Sequence, residues 1–101
     1  MVNPKLQISR ERLADVCRRF GVRALSVFGS ATRSDFRPDS DVDLLVEFDP
    51  ENTPSLFRTV ELKEELERLF GRQVDISTPE ILRNPYRRAT ILRNLERLYV
   101  G

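Results

Sequence analysis

The sequence predicts a mixed α/β fold: a small three-stranded sheet flanked by helices, in the order α-β-α-β-α-β-α within one domain spanning residues 1–101. Three observations carry this. Short apolar runs over residues 23–28, 41–48 and 73–77 are each bounded by turn-forming residues, as strands are. The stretches around them place apolar residues at helical spacing. The segment joining the second and third runs is long enough for a crossover helix, which suits parallel strands.

The elements follow in order. Ser9 can cap a helix over 9–20, in which Leu13, Val16, Cys17 and Phe20 form one apolar stripe, and Gly21 ends it. Strand 23–28 ends at Gly29. Residues 30–40 hold Ser, Thr, Asp and Pro38 and read as a loop or a short helical turn. After strand 41–48, Thr53 is the expected cap and Pro54 the first residue of a helix running to Phe70. That helix is expected to bury Leu56, Val60, Leu62, Leu66, Leu69 and Phe70, with Gly71 as its stop. Strand 73–77 follows, then a short turn of helix opened by Thr78-Pro79-Glu80. A last helix over 86–98 would turn Ala89, Leu92, Leu95 and Leu98 to one side.

Composition narrows the chemistry. The chain has no histidine, which excludes Ser-His catalysis, His-ligated zinc and histidine acid–base work. Its one cysteine, Cys17, falls in the stripe of the first helix and reads as a buried small hydrophobe. No apolar run approaches a membrane span and no leader opens the sequence, so a cytoplasmic protein without a membrane partner is expected. The net charge of +1 is unevenly spread: residues 1–34 carry about +5, residues 35–67 about −8 and residues 81–101 about +4. An acidic centre between basic arms suits a metal pocket beside phosphate-binding groups, and equally a set of solvated helix faces.

The candidate site lies in that acidic centre. Gly29-Ser30 closes the first strand, and ten residues later Asp41-Val42-Asp43 opens the second. The two can meet only if those strands run antiparallel. A parallel third strand would then bring Asp75 beside Asp41 and Asp43. Side chains two apart on a strand share a face, so Asp41 and Asp43 project together. Carboxylates held that close repel, and Mg²⁺, which takes hard oxygen ligands and shares them with phosphates, relieves the repulsion. A glycine at a strand end lets backbone N–H groups approach phosphate, and a serine adds a hydroxyl. A calcium loop fails on the same residues, because its turn glycine would fall on Leu44 and its bidentate glutamate on Pro50. Walker and dinucleotide-fold glycine signatures are absent.

These residues carry a family resemblance. Phe28-Gly29-Ser30-Ala31-Thr32-Arg33, followed by Arg37-Pro38-Asp39-Ser40-Asp41-Val42-Asp43-Leu44-Leu45-Val46, resembles the polymerase-beta-like nucleotidyltransferase superfamily. The short length, the run Gly71-Arg72-Gln73-Val74-Asp75-Ile76 with Thr78-Pro79, and the arginine-rich close ending Leu98-Tyr99 resemble its minimal members, the MntA-like antitoxins encoded beside a HEPN-domain partner. The resemblance implies the nucleotidyltransferase fold and Mg²⁺-dependent transfer of AMP from ATP to a hydroxyl. It implies that Asp41 and Asp43 hold two Mg²⁺ ions and that Asp75 completes one shell where the acceptor loses its proton. It further implies that Gly29 and Ser30 bind the β- and γ-phosphates and that Arg33 contacts phosphate. Where the family pattern has glycine after that arginine, this chain has Ser34.

With no segment left over for an acceptor-holding domain, a protein acceptor is expected. The resemblance points to a tyrosine of a HEPN ribonuclease toxin. Arg87, Arg88, Arg93 and Arg97, all assigned to the last helix, could hold that partner or the nucleotide. A binding-only antitoxin and transfer to a small molecule or RNA end stay open beside this reading, as does a homo-oligomer. Nucleic acid is not expected as the main partner, because no basic run is interleaved with aromatics.

Overall fold

The computed structural model describes residues 8–29, 41–51 and 53–101. Helix α1 (Arg10–Arg19) leads into strand β1 (Val22–Phe28), and strand β2 (Val42–Phe48) follows. Helix α2 (Leu56–Phe70) connects β2 to β3 (Val74–Ser77). A 3₁₀ helix (Pro79–Arg83), helix α3 (Pro85–Arg93) and strand β4 (Glu96–Val100) complete the order. Among the described residues the sheet has four strands in the order β3-β2-β1-β4. The expected pairings hold: β1 and β2 are antiparallel, and β2 and β3 are parallel across the α2 crossover.

Local chemistry sets the helix ends. The Ser9 hydroxyl accepts from the Arg12 amide at 3.3 Å, which caps α1 as the sequence predicts. The cap of α2 is Ser55 rather than Thr53: the Ser55 hydroxyl accepts from the Arg58 amide at 3.3 Å. The Thr53 hydroxyl instead donates to the Asp49 carbonyl within the preceding turn, and Pro54 lies outside the helix. Gly71 ends α2 at φ +71°, in the left-handed conformation that glycine adopts without penalty.

One face of the sheet packs on α1 and α2. Leu25, Val27, Val42, Leu44 and Val46 interlock there with Leu13, Cys17, Leu62 and Leu66, all fully buried. Each such leucine contributes about 2 kcal/mol of apolar burial. The other face carries a smaller cluster, Phe28, Leu45 and Ile91, with Ile81, Leu82 and Leu95 against it.

The α2 stripe corrects the expectation for two residues. Leu62, Leu66 and Phe70 recur every four residues and are buried, with Leu69 partly so. Continued back one turn, that stripe meets Arg58, whose guanidinium lies 4.2 Å over the Phe20 ring and donates to the Arg19 carbonyl. Leu56 and Val60 sit at other angles of the helix and are 80% and 50% exposed.

The last helix is also shorter than expected. It stops at Arg93, and residues 96–100 form β4, antiparallel to β1. The spacing of Leu92, Leu95 and Leu98 continues a helical period, but β1 would otherwise keep an unpaired backbone edge, and pairing satisfies it. Leu98 thus enters the core from a strand, and the Arg10 guanidinium fastens it by donating to its carbonyl at 2.8 Å. Ile91 is the buried residue of α3, whereas Ala89 and Leu92 are exposed. Arg97 accordingly belongs to β4. No described helix is long and apolar enough to cross a membrane.

Candidate active site

β1 delivers Gly29 to the end of the sheet where β2 begins, and Phe28 is the register partner of Asp43. Gly29 has φ +74°, and a Cβ added to it would run into the Asp43 carboxylate. The backbone angle therefore favours glycine, and any side chain there would displace the Asp43 carboxylate.

The carboxylates come together through strand register. Asp43 and Asp75 are direct partners across the parallel β2–β3 ladder, so both project to the face that carries α3. Asp41 lies two residues before Asp43, just ahead of β2. Asp43 is half-buried, whereas Asp41 and Asp75 are exposed. Asp43 and Asp75 thus stand side by side, with Gly29 against Asp43 and Asp41 just ahead of β2. Ser30 and Arg33 lie outside the described residues.

The donor set suits a hard divalent cation: oxygen ligands only, on one face of adjacent strands. Among the described residues no three acidic side chains converge closely enough to enclose an ion as they stand.

Two cavities flank the pair. One, of about 440 Å³, has Phe28, Gly29 and Asp43 on its sheet side and Tyr86, Thr90 and Asn94 among the α3 residues of its other wall. The second, of about 260 Å³, joins Asp75 to Val60, Lys63 and Thr78 along the outer edge of β3. A larger cavity of about 550 Å³ lies between α1 and α2, away from the carboxylates. Three of its arginines are engaged with acids: Arg18 with Asp15 at 2.7 Å, and Arg19 and Arg68 with Glu65 at 3.4 and 2.9 Å. That cavity is a solvated ion-pair surface with no link to those carboxylates.

The α3 wall is what sequence reasoning missed. Tyr86, Thr90 and Asn94 recur every four residues and so form one stripe, a legible signal once Ile91 rather than Leu92 is taken as the buried position. Of the four arginines assigned to the last helix, Arg87 and Arg93 line the cavity.

Comparison with known proteins agrees with this geometry. The profile of the family described as nucleotidyltransferase domain matches residues 10–98. The protein adenylyltransferase MntA of Thermococcus cleftensis is 46% identical over 77 residues, covering 76% of this chain and 75% of the relative. A solved structure of the minimal nucleotidyltransferase type is 39% identical, with a TM-score of 0.66 over 86% of each chain. A toxin–antitoxin crystal structure with AMP-PNP shares the fold at 17% identity, with a TM-score of 0.67 over 93% of this chain and 75% of that one. A mixed four-stranded sheet that sets Gly29 against Asp43 and Asp43 beside Asp75, together with the match over nearly the whole chain, places this protein in the nucleotidyltransferase family.

Proposed function

We propose that this enzyme is a Mg²⁺-dependent protein adenylyltransferase, an antitoxin that transfers AMP from ATP to a tyrosine hydroxyl of a HEPN ribonuclease toxin. The observation that carries the reading is the Asp43–Asp75 register pair, flanked by one cavity on the Gly29 side and another at the β3 edge. The 46% identical relative, named a protein adenylyltransferase, supports the reaction class. Solved MntA–HepT complexes of the same fold motivate the partner.

In this reading the nucleotide occupies the Gly29 side and the acceptor approaches from the Asp75 side. Two Mg²⁺ ions, when bound, neutralise charge on the attacking and leaving oxygens of an in-line displacement. Asp41 and Asp43 would hold both, and Asp75 would complete one shell. The Gly29 turn, with Ser30 and Arg33, would grip the β- and γ-phosphates. Asp75 would take the acceptor's proton as its oxygen bonds to the α-phosphorus, while the bond to the β-phosphate oxygen breaks and pyrophosphate leaves. Little further acid–base chemistry is required, which fits a chain without histidine.

Incubation with a HEPN-domain partner and ATP labelled at the α-phosphate tests the proposal. Label on the partner, lost with Asp75→Asn, is the expected result; a partner that stays unlabelled while complexed rejects it in favour of inhibition by binding alone.

A further inference from the structure

We infer that α3 is the nucleoside-recognition face of this enzyme, with Tyr86 as the platform on which the base stacks and Arg93 as a phosphate contact. The inference rests on the transferase reading and adds to it an assignment for residues beyond the carboxylates.

α3 ends beside the Gly29 turn. Its C-terminal end leads through Asn94 and Leu95 into Glu96, which pairs with Val27 two residues before Gly29. Arg93 and Asn94 therefore stand at the Gly29 end of the shared cavity. Tyr86 lines the same cavity from the opposite end of the helix, roughly 12 Å away at 1.5 Å per residue. The cavity thus joins the Gly29 turn and Arg93 at one end to Tyr86, with Arg87 beside it, at the other. A nucleoside triphosphate has the matching polarity, anionic at one end and a flat π-system at the other.

Among the described residues Tyr86 belongs to neither apolar cluster. It is 85% exposed, and the apolar cluster on this face is built from Phe28, Leu45 and Ile91. An exposed aromatic ring on a cavity wall offers stacking to any base. The helix N-terminus beside it is not the anion site, because the Asn84 side chain already accepts from the Tyr86 and Arg87 amides at 3.0 and 3.3 Å. Phosphate charge is left to the Gly29 turn and to Arg93 at the same end of the cavity.

The test compares two ligands, a non-hydrolysable ATP analogue and inorganic tripolyphosphate, by equilibrium binding in Mg²⁺. Tyr86→Ala should weaken the analogue roughly ten-fold and leave tripolyphosphate unchanged, and Tyr86→Phe should bind both as the parent does. Arg93→Gln should weaken both ligands. The assignment is overturned if Tyr86→Ala binds the analogue normally, or loses tripolyphosphate to the same extent. A parent chain that binds neither ligand overturns the transferase reading itself, a failure visible before any variant is made.

Discussion

Gly29 and Asp43 meet so closely across the end of the β1–β2 ladder that a side chain on the first would occupy the carboxylate of the second. The contact joins the strand-end turn to the carboxylates, so damage on one side is transmitted to the other. Gly29→Ala places alanine at φ +74° and displaces a movable carboxylate. The backbone strain costs about 1–2 kcal/mol, whereas the proposed reaction would lose a correctly placed metal ligand. Urea denaturation and AMP transfer measured side by side should show activity falling further than stability does; loss of both in proportion would mean that the contact is structural only.

Neutralising the acids should separate chemistry from folding. Asp41 and Asp75 are exposed, so Asp41→Asn and Asp75→Asn should change stability by no more than about 0.5 kcal/mol. Each should cost transfer roughly two to three orders of magnitude. Asp75→Asn should still bind nucleotide, because Asp75 faces the other cavity. Calorimetry and initial rates on the same samples check both halves.

The phase of α2 makes a contrast between leucines six residues apart. Leu62→Ala opens a cavity in the main core and should cost about 2–5 kcal/mol. Leu56→Ser changes a side chain that is 80% exposed and should stay within about 0.5 kcal/mol. Equal losses at the two positions would mean that the helix is rotated from its described phase.

The sheet's first three strands and the Asp43–Asp75 pairing were legible because their signals are local. Alternation, strand-end glycine and Asp-x-Asp each speak within a few residues, and the crossover length fixes strand direction. β4 was not legible, because Leu95 and Leu98 extend the spacing of α3 and only the unpaired edge of β1, remote in sequence, turns those residues into a strand. The same misreading hid the Tyr86–Thr90–Asn94 wall. Leu56 and Val60 were assigned to the core on hydrophobicity, although the stripe through Leu62 and Leu66 runs back to Arg58, held by the Phe20 ring. Cys17 was read correctly, since its place in the α1 stripe leaves no other environment.

Burial pushes the Cys17 thiol from 9.0 up to about 12, partly offset by Arg18. The folded chain therefore keeps a proton that the unfolded chain releases above pH 9, so this group's contribution to stability falls as pH rises from 9 toward 12. At neutral pH the thiol should resist modification by a disulfide reagent in the native protein and react at once in denaturant. Rapid reaction of the native chain would contradict the burial.

Intact mass of both proteins, after incubation of this chain with a HEPN-domain partner, ATP and Mg²⁺, decides whether AMP is transferred. A gain on the partner in whole AMP units, absent with Asp41→Ala, is the predicted result. A stable complex in which neither mass changes would contradict it.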